Sequence, residues 1–308
     1  MTTVYPVAAG TPSYSGTYIP EVWSGKCLIK FYTATVFGDI SNTDYEGEIK
    51  AFGDTVHIRN IPSIVIRDYS AGQQLQRQKP EAEVVDLLIN KGKYWSFEVN
   101  DVQKAQSDMN FVEKWSDDAS QQMGISIDSD ILSAVYADAS SYNKGATAGY
   151  RSSAFDLGAT GAPRAIDKTN ILDFIVDTGT VLFEYDIPAT ERWMVLPPLF
   201  TGMIKKSDLK DASLTGDATS PLRNGKIGSI DQFTIYMSNQ LATTTDGSYT
   251  AHNCIAGHKA AITFASQITE NRTIPNPNDF GDLMEGLQVY GYKVIKPEAM
   301  CHMYIRKG

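Results

Sequence analysis

Three residues in the stretch HNCIAGH, His252, Cys254 and His258, are of the types that hold zinc. Imidazole and thiolate ligands suit a tetrahedral ion, and an ion with one open position would activate water for hydrolysis. Three donors fall short of the four that a closed structural site uses. Packing explains the same residues without a metal: His252 and Cys254 stand two apart at a strand end, and His258 opens AGHKAAITFA, which suits helix or strand equally. A soluble metal-dependent hydrolase is what this cluster would carry if it closed. The acidic pairs Asp117–Asp118 and Asp128–Asp130 are neighbours along the chain rather than partners across a cleft. The nucleophile elbow GxSxG, the phosphate loop GxxxxGK[ST], the zinc pair HExxH and a glycine-rich dinucleotide turn do not occur. The expectation is a protein that is not an enzyme and takes no cofactor or metal.

The composition narrows the classes further. A chain of 308 residues with 42% apolar content can bury a sizeable core in one large domain or two modest ones. Its net charge of −9 argues against a surface that grips phosphates, which relies on clustered Lys and Arg. Cys27, Cys254 and Cys301 are few, scattered and odd in number, which fits a reducing folding environment better than a disulfide framework. The opening MTTVYPVAAGTPSYSG lacks the basic and apolar regions of a signal peptide. No run reaches the roughly 20 apolar residues of a membrane helix. The sequon at Asn271 is then accidental.

The elements around these residues are uneven. Residues 1–19 show no period and read as an extended arm carrying Tyr5, Tyr14 and Tyr18, able to reach on the order of 60 Å. A short helix follows in PEVWSGKCLIKFYTATV. Val56 and Ile58, then Ile64 and Ile66, alternate with polar residues around Pro62, and the polar run SAGQQLQRQKPE covers residues 70–81. Val85, Leu87 and Ile89 share one strand face and Trp95, Phe97 and Val99 another, which with Asn90, Lys91 and Gly92 between them predicts a hairpin. Long strands with a polar tip describe a projecting arm, and a two-stranded ribbon is marginal by itself in water. It must lean on a partner.

Val112, Trp115, Ala119, Met123, Ile127, Ile131 and Val135 recur at helical steps and predict an amphipathic helix over about 109–139. Residues 101–140 hold eight acids against two bases, so most of the chain's net charge sits here, as a solvated face or as a surface kept acidic for a purpose. Gly, Ala and Ser fill a connection over 143–165, and a second helix is expected from Thr169 or Asn170 through Leu182 before Pro188. Residues 193–198 and 231–238 read as strands, with 208–229 as loop. The chain closes on two strands, Leu287 to Ile295 and the alternating Cys301, Met303 and Ile305.

This order of elements resembles the major capsid proteins of tailed bacteriophages, which have the Hong Kong 97-type fold. The wording resembles them too, in YIPEVWSGKCLIKFY, NTDYEGEIKAFGDTVHIRNIP, DLLINKGKYWSFEVNDVQKAQSD, RWMVLPP, AGHKAAITFASQ and GLQVYGYKVIKPEA. The resemblance implies an α+β chain divided into an N-terminal arm and short helix (1–47), an E-loop (48–98), a P domain with a long spine helix (99–165), an A domain (166–274) and a return to the P domain (275–308). It implies a virion protein, assembled in the host cytoplasm, that joins copies of itself as hexamers and pentamers of an icosahedral shell around double-stranded DNA read without sequence specificity. Its further partners would be a portal protein and, because the chain begins at the arm, a separate scaffolding protein; a decoration protein is left open, and no membrane is involved. Tyr5, Tyr14, Tyr18, Arg67, Asp68, Arg77 and Lys79 are the expected inter-subunit contacts. Some members weld subunits by a Lys–Asn isopeptide bond, for which Lys79 is a conceivable donor. An encapsulin-like nanocompartment shell, with protein cargo, is the alternative with the same fold.

Overall fold

The computed structural model describes residues 35–44, 55–59, 61–62, 64–81, 84–100, 111–207, 229–277 and 279–308. The arm tyrosines Tyr5, Tyr14 and Tyr18, the expected first helix up to residue 34, Cys27 and most of the 208–229 loop lie outside these residues.

The core gathers where alternating strands meet helices with apolar stripes. A large mixed sheet runs in the order β4 (Arg164–Ile166), β12 (Met300–Lys307), β9 (Tyr249–His258), β5 (Arg192–Leu196), β7 (Phe233–Met237) and β6 (Ser229–Ile230). One edge of β9 takes β12, and its other edge takes β8 (Thr243–Asp246) near one end and β5 near the other. The pairs β12–β4 and β5–β7 are parallel, the rest antiparallel. All five residues of β5 are buried, as expected for a strand covered on both faces. Helix α3 (Ile171–Glu184) lies against β12 and buries Phe174, Ile175, Val181 and Leu182, the face the sequence period predicts. It ends four residues short of Pro188. Helix α4 (Pro198–Lys206), which opens on a proline suited to a first helical turn, adds Phe200 and Ile204 to the core.

Arg192 is buried inside this core and, among the described residues, bonds to carbonyls rather than to a carboxylate. Its guanidinium donates to the carbonyls of Pro188 (2.8 Å), Ile187 (2.7 Å) and Gly179 (3.3 Å) and stacks 3.9 Å from the Phe183 ring. Planar, dispersed charge makes Arg the cation that tolerates such a site.

The acidic helix is α2 (Phe111–Ala134), about 36 Å long, tightening into a 3₁₀ turn at Val135–Asp138. Ile127, Ile131 and Val135 are buried as the period predicts, and Leu132 joins them. Residues 114–122 of it are more exposed.

The expected hairpin is not formed. Strand β2 (Val84–Leu88) pairs with β1 (Thr55–Arg59), whereas β3 (Lys91–Asn100) pairs with β11 (Gly281–Val294), itself paired with β10 (Ile262–Pro275). The faces are as expected, with Leu87, Ile89 and Val99 buried and Trp95 and Phe97 half-buried. The partners differ because Gly286 and Gly291 of β11 offer space no side chain would leave: Trp95 lies across Gly286, and the backbone of Leu88 and Ile89 crosses Gly291. Gly92 lies within β3 and needs no left-handed turn. The chain therefore steps from one sheet to the next at Ile89–Asn90. Likewise Ile64 and Ile66 belong to no strand; residues 64–81 are extended around a turn at Ala71–Gly72.

Candidate assembly surface

The residues that could touch another molecule are carried on a finger, 61–81, whose root is firmly held. Beneath it, Ile58, Leu87, Ile89 and Ala265 close a small core of their own, flanked by Val56, Val289 and Ile295. On the outer face of the two-stranded root, His57 and Asp86 sit opposite one another and bond at 2.6 Å.

A polar knot fastens the root to the long helix. Lys91, the first residue of β3, donates to Asp130 Oδ2 (2.8 Å) and to the Tyr292 hydroxyl (2.8 Å). Tyr290 donates to the same carboxylate oxygen at 3.0 Å, and Tyr292 to the Asp130 carbonyl at 3.2 Å. Burial, then the bond to Asp130, pushes the Tyr290 hydroxyl well above the usual tyrosine range, so it stays a donor. The Lys91–Asp130 pair is one-third exposed and contributes geometry more than energy, below about 1 kcal/mol.

Asp128 secures the backbone at Val36 and Phe37. Its Oδ1 accepts the backbone N–H groups of Val36 (3.1 Å) and Phe37 (2.9 Å), the opening of the four-residue helix α1 (Phe37–Ile40). Burial raises this carboxyl, and the two N–H bonds oppose the rise. Beyond α1, Asn42 bridges to β10, taking the Phe264 N–H at 3.0 Å and giving its own N–H to Ile262 at 2.9 Å. The expected acidic face is thus smaller than the sequence tally: Asp128 is a buried cap and Asp130 is tied to Lys91, while Asp117 and Asp138 face solvent.

The finger itself exposes what a folded chain normally hides. Ile64, Val65, Ile66, Tyr69 and Leu75 are all exposed, Ile66 at 89%. Arg67, Asp68, Arg77 and Lys79 all stand exposed on this finger, and among the described residues Asp68, Arg77 and Lys79 make no ion pair within the chain. Arg67 bonds the Gln76 side chain. The outward face of the β10–β11–β3 sheet holds a groove of about 400 Å³ lined by Tyr94, Glu270, Arg272, Glu285 and Leu287, with Arg272 and Glu285 paired at 2.7 Å. Sequence reasoning missed Tyr94, 80% exposed, because its neighbours on the opposite face carried the pattern.

The zinc candidates are not assembled into a site. His252, Cys254 and His258 lie along β9, where His252 meets the edge of the Phe200 ring and His258 Nδ1 accepts the Ala260 N–H. The first and last are six residues apart on a strand, roughly 20 Å, too far for one ion. Among the described residues no three His, Cys, Asp or Glu side chains gather as metal ligands. Burial raises the Cys254 and Cys301 thiols far above the usual range, which leaves them inert packing groups. Among the described residues no helix is long and apolar enough to cross a membrane.

Comparison with known proteins decides what this surface belongs to. The family model described as phage capsid protein matches residues 87–303, well over half of the chain.

The chain belongs to the phage capsid protein family.

Solved structures agree with that family. The phage capsid protein resembles a chain from Mycobacterium phage Che8 at 26% identity and a TM-score of 0.77, covering 94% of this chain and 98% of the other. It also resembles the capsid of Cyanophage P-SCSP1u (14% identity, TM-score 0.69, 94% of each chain) and a chain of Gordonia phage Cozz (15% identity, TM-score 0.64, 99% and 98%). No curated protein matches in sequence. The protein is a structural major capsid protein of α+β, Hong Kong 97-type fold, which self-assembles into the oligomeric, icosahedral shell of a phage.

Proposed function

We propose that the finger is the E-loop by which one subunit grips the next, and that its exposed apolar row is buried only in the shell. The observation that carries this is Ile64, Val65, Ile66, Tyr69 and Leu75 standing in solvent above a root fixed by Lys91, Asp130 and Tyr290. Burying such side chains contributes about 1.5–3 kcal/mol each, from which the lost freedom of the subunit must be subtracted. Arg67, Asp68, Arg77 and Lys79 would fix the docking register, since exposed ion pairs seldom exceed about 1 kcal/mol. Tyr5, Tyr14 and Tyr18 would make a second contact through the arm.

In this reading residues 1–47 are the N-terminal arm, 48–98 the E-loop, 99–165 and 275–308 the P domain, and 166–274 the A domain. Hexamers and pentamers close around double-stranded DNA held without sequence contacts, with a scaffolding protein and a portal protein in assembly and a decoration protein as a further partner. Assembly takes place in the host cytoplasm, and no step requires catalysis. An encapsulin-like shell shares the architecture, but the family match favours DNA over protein cargo.

The test is deletion of residues 70–80. The variant should remain a soluble, folded subunit that fails to form shells in sedimentation and negative-stain microscopy. Shells of normal yield would refute the docking role.

A further inference from the structure

The finger keeps its shape without a strand ladder. Its tip is closed by the Gln73 N–H on the Ser70 carbonyl, at 3.1 Å. Side-chain amides bridge the two legs instead. Gln78 Oε1 accepts the Val65 N–H at 3.1 Å, Gln76 Oε1 accepts from the Arg67 guanidinium, and Gln73 Oε1 accepts the Ser70 N–H at 3.2 Å. These three rungs step from root to tip, and each uses the same atom of the same residue type as an acceptor.

We propose that Gln73, Gln76 and Gln78 form a clasp that presets the finger before it meets a neighbouring subunit. The inference rests on the docking role proposed above and names the residues that position that site. Side chains alternate along an extended chain, so turning Gln76 and Gln78 toward the opposite leg sends Leu75, Arg77 and Lys79 to the outer side. A backbone ladder would use up the N–H and C=O groups of both legs. The amide clasp takes two main-chain donors, the Val65 and Ser70 N–H groups, and otherwise uses side-chain atoms. Presetting matters because a free loop loses its conformational entropy on docking, and that loss is charged against assembly.

The test replaces all three glutamines by methionine, which keeps length and removes the acceptor, and in parallel by glutamate, which keeps the acceptor oxygen. Spin labels at Ile66→Cys and Arg77→Cys, in a Cys27→Ser background with the buried Cys254 and Cys301 left in place, report the spacing of the legs in the free subunit. Shell formation is followed by light scattering on unlabelled protein, with co-assembling proteins held constant. The methionine variant should lose the defined dipolar coupling, keep its far-ultraviolet circular dichroism and nucleate shells about tenfold more slowly, as three exposed hydrogen bonds at the weak end of their range imply. The glutamate variant should retain the coupling. Unchanged coupling in the methionine variant, or lost coupling with wild-type nucleation, overturns the clasp. Failure of the 70–80 deletion to block assembly would instead overturn the docking role, so the two failures are distinguishable.

Discussion

Replacing Gly291 by alanine should loosen the finger at its root. A methyl group there would lie within contact-forbidden distance of the Leu88 carbonyl oxygen and 3.0 Å from the Leu88 carbonyl carbon and Ile89 Cα, all of them backbone atoms that cannot swing aside. To restore ordinary van der Waals separation, β2 must lift from β11 by more than half an ångström, judged against contacts of about 3.5–4.0 Å. That lift draws Ile89 away from Ala265 in the small core beneath the finger. Overpacking of this kind costs about 1–3 kcal/mol. Gly202, within α4, provides the contrast, because a methyl there meets nothing within 4 Å and the backbone is helical. Alanine at 202 should stabilise by about 0.4–1 kcal/mol through the unfolded chain. Urea unfolding of the isolated subunit, with hydrogen exchange over residues 84–100, measures both. If Gly291→Ala unfolds at the wild-type urea concentration with unchanged exchange in β2, the close crossing of β2 over β11 is wrong, and with it the fixed root.

Two further outcomes follow from buried and exposed charge. Asn253 gives its amide hydrogens to the Ala242 carbonyl (3.1 Å) and Thr244 (3.3 Å), so its oxygen faces His302, which must carry its proton on Nε2 to bond it at 3.0 Å. Burial, aided by Lys144, pushes His302 down to about 4; the unfolded chain takes up that proton from about pH 6.5, so stability is complete above 6.5 and falls between 6.5 and 4, by up to about 3 kcal/mol in all. Urea titrations of His302→Gln should show a shallower loss over that window, and an identical pH slope would count against the buried neutral imidazole. Reversing Asp117 and Asp118 to lysine should slow DNA filling or trap DNA on the shell wall if α2 faces the genome, and unchanged packaging would remove that role.

Local patterns were legible in the sequence wherever one face is dry. The alternation of Val85, Leu87 and Ile89, and of Trp95, Phe97 and Val99, gave the right faces for β2 and β3. Their partners were not legible, because two intervening residues permit either a hairpin or a change of sheet, and the choice is made by Gly286 and Gly291 almost two hundred residues further on. The hairpin joining β8 and β9 had a signal in Asp246–Gly247, a dipeptide that favours tight turns, flanked by threonines. Asp128 was counted with the acidic surface, yet Ile131 and Leu132 stand three and four residues on, which places it on the buried side of the helix. The glutamine clasp left no periodic trace, since its bonds join side chains to an irregular, exposed backbone. Family wording carried the functional conclusion further than any single motif, because a shell subunit needs surfaces rather than reactive groups.

Hydroxyl-radical footprinting of residues 61–81, in the free subunit and in assembled shells, bears most directly on the claim that this finger is sheltered by a sister molecule. Tyr69 and Leu75 should be oxidised readily in the free subunit and strongly protected in the shell, while Tyr290, buried within the chain, stays protected in both. Equal reactivity of Tyr69 and Leu75 in the two states would contradict it.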